Sequence, residues 1–170
     1  MLKKNFCKKG FTLVELLIVV AIIGILAAVV FVALDPLSRF QDSRDSVRWQ
    51  ETAELMTAIK VNQVDNGGSY IEAIEELEAG EVYMITGDGT VNGCDSQNMY
   101  CDTNVDDSNN CVDLSALVDS GYLGRVPVSP SGEGEWNESI TGYTLTASSS
   151  GIIILRSCES ENSSEIEITR

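Results

Sequence analysis

Apolar and polar positions divide this chain sharply. From Phe11 to Leu34 the sequence is apolar with one charged side chain, Glu15. That run exceeds the ~20 residues a membrane-spanning helix needs. Beyond it, Leu37, Phe40, Val47, Leu55, Ala58 and Ile59 recur at helical spacing and fall roughly on one face. The stripe is impure, because Arg44, Arg48 and Glu51 share it. Between Asp35 and Asp65 the only breaker is Pro36, which predicts a kink or local unwinding. Gly67–Gly68 predicts the helix end. The pattern therefore divides the chain into a basic leader (1–10), an apolar half-helix (11–34), an amphipathic half-helix (35–66) and a polar remainder (67–170).

Within the remainder, Tyr70–Ala79 reads as a short acidic helix closed by Gly80, and Asp113–Ser120 as another ended by Gly121. Tyr143–Ala147 (YTLTA) and Ile152–Arg156 (IIILR) are β-prone runs separated by Ser148–Gly151, and Glu165–Thr169 alternates well enough for a third strand.

Charge sharpens this division. Four of the eleven basic residues, Lys3, Lys4, Lys8 and Lys9, lie in the first ten positions, which hold no acid. Without those ten, seven basic residues face all 26 acidic ones, a net charge of about −19. Such a surface repels nucleic acid, whose binding depends on Lys and Arg neutralising phosphates. The four lysines predict a cytoplasmic N-terminus and an extracytoplasmic head. An ordinary secretory signal has a shorter apolar core and a small-residue cleavage site, and neither fits here. A plain anchor leaves Glu15 unexplained, since a carboxylate inside an apolar helix is costly and marks a functional site.

The residues Gly10, Phe11, Thr12, Leu13, Val14 and Glu15, followed by LLIVVAIIGILAAVV, resemble the N-terminal signature of type IV pilins and type II secretion pseudopilins. The resemblance covers about the first 30 residues. It implies that a membrane prepilin peptidase cuts after Gly10, that the new terminus Phe11 is methylated, and that Glu15 contacts the Phe11 amine of a neighbouring subunit during assembly. It also implies an α+β fold: a long N-terminal helix, transmembrane in its first half, packed on a small head with a short antiparallel sheet. Leu117–Pro130 resembles the mid-head region of pseudopilins and small pilins more loosely. The implied partners are identical or related subunits and a membrane assembly platform. The implied location is the cytoplasmic membrane, then a filament at the cell surface or in the periplasm.

Cys7 falls in the leader. Cys94, Cys101, Cys111 and Cys158 lie in the head, where an even number in an oxidising compartment predicts two disulfides. Zinc is disfavoured because no C-x-x-C occurs. Of the three possible pairings we expect Cys94–Cys101 as a local loop and Cys111–Cys158 as a staple. Asp102, Asn104, Asp106 and Asp113 occupy positions 1, 3, 5 and 12 of a calcium-loop template. Asp107 stands where that template needs glycine, and Asp113 where it needs glutamate. Cys111 and the absence of an entering helix are further departures, so the segment reads either as a solvated polar loop or as a calcium site, the only cofactor candidate. Major pseudopilins resemble one another in a head-loop calcium site.

Chemistry of the enzymatic kind has little foothold. The chain has no histidine, the commonest general base and metal ligand. No Walker loop, G-x-S-x-G elbow or metal-hydrolase pattern appears, and pairs such as Glu75–Glu76 and Asp106–Asp107 read as solvated faces. The expected function is a structural subunit of a type IV pilus-like filament. The alternative is the major pseudopilin of a type II secretion system.

Overall fold

A computed structural model describes residues 10–170, so Lys3, Lys4, Cys7, Lys8 and Lys9 lie outside the described residues. Two compact units result, the first ending at Arg39 and the second spanning Phe40–Arg170.

In the first unit, helix α1 (Leu13–Leu34) carries no buried residue. Its 22 residues give a length of about 33 Å at the α-helical rise. Helix α2 (Pro36–Asp65) begins after a single interruption. Asp35 adopts a left-handed conformation, φ 36° and ψ 70°. The residue before a proline is disfavoured in the right-handed helix, and proline itself suits a first helical turn. The predicted unwinding at Pro36 is thus realised one residue earlier. Arg39 Nε donates to the orphaned Leu34 carbonyl at 3.0 Å.

In the second unit, α2 lies against a five-stranded sheet. It stops where Gly68 N–H bonds back to the Gln63 carbonyl (2.8 Å), with Gly67 and Gly68 both at positive φ. The strands are β1 (Val82–Thr86), β2 (Cys111–Asp113), β3 (Tyr143–Ala147), β4 (Ile153–Ser157) and β5 (Glu167–Thr169), in the order β2-β1-β3-β4-β5. All neighbours are antiparallel except β1 and β2, which run parallel with Met84 opposite Cys111. Leu55, Ala58 and Ile59 of α2 meet Ile85, Tyr143, Leu145, Ile153 and Leu155 on one sheet face. On the other face Met84 joins Cys94, Val105, Trp136 and Cys158. Each large apolar side chain removed from water here contributes roughly 1.5–3 kcal/mol.

Several expectations change. The stripe on α2 splits: Leu55, Ala58 and Ile59 are buried, whereas Leu37, Phe40 and Val47 are exposed. The helix expected over Tyr70–Ala79 shrinks to α3 (Glu72–Glu75), because Glu78 N–H bonds the Tyr83 hydroxyl (3.1 Å) instead of continuing the helical ladder. The second short helix, α4 (Ser115–Asp119), forms two residues late. Asp113 stays in β2 and accepts from Ser115 N–H and Oγ, at 3.0 and 2.7 Å.

Candidate processing and assembly segment

Gly10 and Phe11 precede α1 in exposed, non-helical chain, and Phe11 is 76% exposed. Thr12 ends that stretch in extended conformation (φ −85°, ψ 153°) and caps the helix. Its hydroxyl accepts from Glu15 N–H at 3.2 Å and donates to Glu15 Oε2 at 2.7 Å. Glu15 Oε2 also accepts from Thr12 N–H at 2.8 Å. This reciprocal capping box satisfies donors that a helix start leaves orphaned, and it sets the carboxylate at the positive end of the helix dipole. Thr12, read only as part of the signature, is therefore the residue that orients Glu15. The T-x-x-E spacing was the available signal.

The second unit contains a cluster that periodicity registered only as an impurity. Arg48 is fully buried. Its Nη1 pairs with Asp45 (2.9 Å) and Glu161 (2.7 Å), and its Nη2 with Glu159 (2.7 Å). The remaining donors reach the Pro130 carbonyl (3.0 Å) and Ser129 Oγ (3.2 Å). Arg44 pairs with Glu161 as well. Asp45 accepts from three consecutive backbone N–H groups, of Glu161, Asn162 and Ser163, at 2.9–3.1 Å. Burial alone would raise the Asp45 carboxyl, but those N–H groups and Arg48 bring it down to about 2. Glu159 accepts from the backbone N–H groups of Glu133 and Gly134 and from Trp136 Nε1. The arrangement ties the strap 159–163 and the loop 129–136 to α2. Beside it, the Tyr143 hydroxyl donates to Glu51 at 2.5 Å. Burial raises both groups, and for Tyr143 the adjacent Glu51 carboxylate adds to the rise.

Both disulfides form, but the expected pairing is wrong. The bridges are Cys94–Cys111 and Cys101–Cys158. Turns through residues 95–100 carry Cys101 toward the end of β4, where Asp102 N–H bonds the Cys158 carbonyl (2.7 Å). Cys111, brought alongside β1 by the parallel β2, is left facing Cys94.

The four calcium-template residues each have their own surroundings. Asp102 accepts from Ser160 Oγ, Asp106 accepts from Val82 N–H (2.7 Å), Asp113 accepts from Ser115 N–H and Oγ, and Asn104 is exposed. Among the described residues no group of three or more acidic or cysteine side chains is placed to hold a metal ion.

Among the described residues one helical stretch is long and apolar enough to cross a membrane, and its apolar part is α1. No curated protein and no solved structure matches the chain. A family model does match, over 27 residues at the N-terminus, and it points to a structural subunit rather than an enzyme. Residues 5–31 carry the prokaryotic N-terminal methylation motif, the prepilin-type leader of type IV pilins and pseudopilins.

Proposed function

We propose that this chain is the prepilin of a type IV pilus-like filament, cut between Gly10 and Phe11, methylated at Phe11 and polymerised through its N-terminal helix. The observation that carries this reading is the start of α1. The Gly10–Phe11 bond lies exposed outside the helix, immediately ahead of the Thr12–Glu15 capping box. Before assembly, α1 at about 33 Å matches a hydrocarbon core of ~30 Å. Its lysine-rich leader keeps the amino end cytoplasmic. Within lipid, the Thr12 donors offset part of the cost of the Glu15 carboxylate. After cleavage, the new Phe11 amine of one subunit is a cationic partner for Glu15 of the next.

Mass spectrometry of the mature protein should find a methylated Phe11 first; an intact Met1 terminus refutes the cleavage. Glu15→Ala should still insert into the membrane yet enter filaments poorly. Electron microscopy separates the two filament types. Surface fibres lost on deletion support a pilus, and an export defect without fibres identifies a type II secretion pseudopilin instead.

A further inference from the structure

The chain contains two Asn–Gly pairs, Asn66–Gly67 and Asn92–Gly93. A following glycine has no Cβ, so its backbone nitrogen can approach the asparagine side-chain carbonyl without obstruction. The two pairs sit in different surroundings. At the first, Gly67 N–H is donated to the Val64 carbonyl (3.2 Å), which has no proton to give back, and the Asn66 amide donates to the Asn62 carbonyl (2.9 Å).

At the second pair the fold supplies a hydroxyl. Ser108 Oγ accepts from Gly93 N–H at 3.2 Å and donates to Asn92 Oδ1 at 3.2 Å. One group thus touches both the nitrogen that attacks and the oxygen that gathers charge when it does. The placement is built in: Cys94 N–H bonds the Ser108 carbonyl (3.1 Å), and the Cys94–Cys111 bridge closes the same loop. Asn92 is exposed, so water reaches it.

We propose that Asn92–Gly93 is a self-modification site at which Ser108 assists conversion of Asn92 to aspartate or isoaspartate. Gly93 N forms a bond to Asn92 Cγ while its proton passes to Ser108 Oγ and the Ser108 hydroxyl proton passes to Oδ1. The tetrahedral carbon collapses, the Cγ–Nδ2 bond breaks, and the nitrogen leaves as ammonia with the proton from Oδ1. Water then opens the five-membered imide at either carbonyl. No oxidant or cofactor enters, and Ser108 is regenerated, as a proton relay requires. The change adds one negative charge and removes the Asn92 Nδ2 donation to Asn109 Oδ1 (2.9 Å). Because it runs one way, it releases the contact between residues 92 and 109 progressively as a subunit ages. It stands independently of filament assembly.

The test is peptide mapping by mass spectrometry of the full chain held at neutral pH, with Asn66 as the internal reference. Conversion at Asn92 is expected to run several-fold faster than at Asn66. Ser108→Ala should remove that advantage and Ser108→Thr should keep it. In denaturant, where Ser108 is released, the two pairs should convert at similar rates. An Asn92 no faster than Asn66, an advantage that survives denaturation, or an unchanged rate in a Ser108→Ala chain that retains Cys94–Cys111 overturns the proposal.

Discussion

Replacing Arg48 with methionine tests the energetic reading of the head most directly. Methionine keeps much of the volume and removes the charge. Asp45 and Glu159, only 3% and 6% exposed, and Glu161 all lose their shared cation. Breaking one buried ion pair costs ~3–5 kcal/mol, because the abandoned charge stays desolvated. Three independent losses of that size would reach the whole stability of a domain, ~5–15 kcal/mol. The structure argues against simple addition, because each carboxylate keeps other donors. Asp45 retains three backbone N–H groups, Glu159 retains Glu133, Gly134 and Trp136, and Glu161 retains Arg44. The expected loss is therefore near the low end of one pair, about 3 kcal/mol. Urea unfolding of the full chain in detergent, followed by the combined emission of Trp49 and Trp136, measures it. Adding Glu159→Gln should recover part of the loss, since contacting residues couple non-additively. A loss below about 1 kcal/mol for Arg48→Met would show that the cluster is dispensable and refute the reasoning.

Other consequences are open to measurement. Asp45 sits at about 2 in the fold against an ordinary 3.8, so its stabilisation is full above pH ~4 and fades as pH falls toward ~2, about 2 kcal/mol in all. Glu51, raised by burial, opposes this in part. Asp45→Asn should flatten the acid limb of the stability profile, and an unchanged limb counts against the assignment. Loop-closure entropy gives about 4 kcal/mol for Cys101–Cys158 and about 3 for Cys94–Cys111. Cys158→Ser should accordingly lower the unfolding midpoint more than Cys111→Ser, and non-reducing peptide maps should show no Cys94–Cys101 link. At Gly142, φ is +78° and an added Cβ would lie 2.6 Å from the Trp136 ring. Gly142→Ala should cost about 1–3 kcal/mol by thermal unfolding, and a neutral result would contradict that packing.

What could be read from the sequence follows the range of the physics involved. The N-terminal signature and the strands β3 and β4 depend on residues adjacent in the chain; the family model finds the first at residues 5–31, and the strands emerge within a residue of the expected bounds. Strand β1 was missed. It is buried on both faces, so VYMIT shows a continuous apolar run without the alternation that marks a half-exposed strand. Strand β2 is three residues long and exists through its parallel neighbour. Arg48 looked like a flaw in an apolar stripe because its partners Glu159 and Glu161 lie more than a hundred positions away. The disulfide pairing failed for the same reason. Cys101 has a nearer candidate in sequence, but chain reversals through residues 95–100 and the register of β2 decide which sulfur it meets.

Those two bridges interleave along the chain, 94 to 111 and 101 to 158. Their overlap has a mechanical side. In the proposed filament, a subunit pulled from its helix and its C-terminus bears the load through Cys101–Cys158, which short-circuits a 57-residue separation. At an extended reach of ~3.4 Å per residue, about 190 Å of slack is withheld from the stretching chain. Under such a load the head can peel β5 and the strap from one side and α2 and β1 from the other, but it cannot pay out β2, β3 and β4, which lie between Cys101 and Cys158. That bridged span behaves as a short, stiff link even when its non-covalent contacts yield.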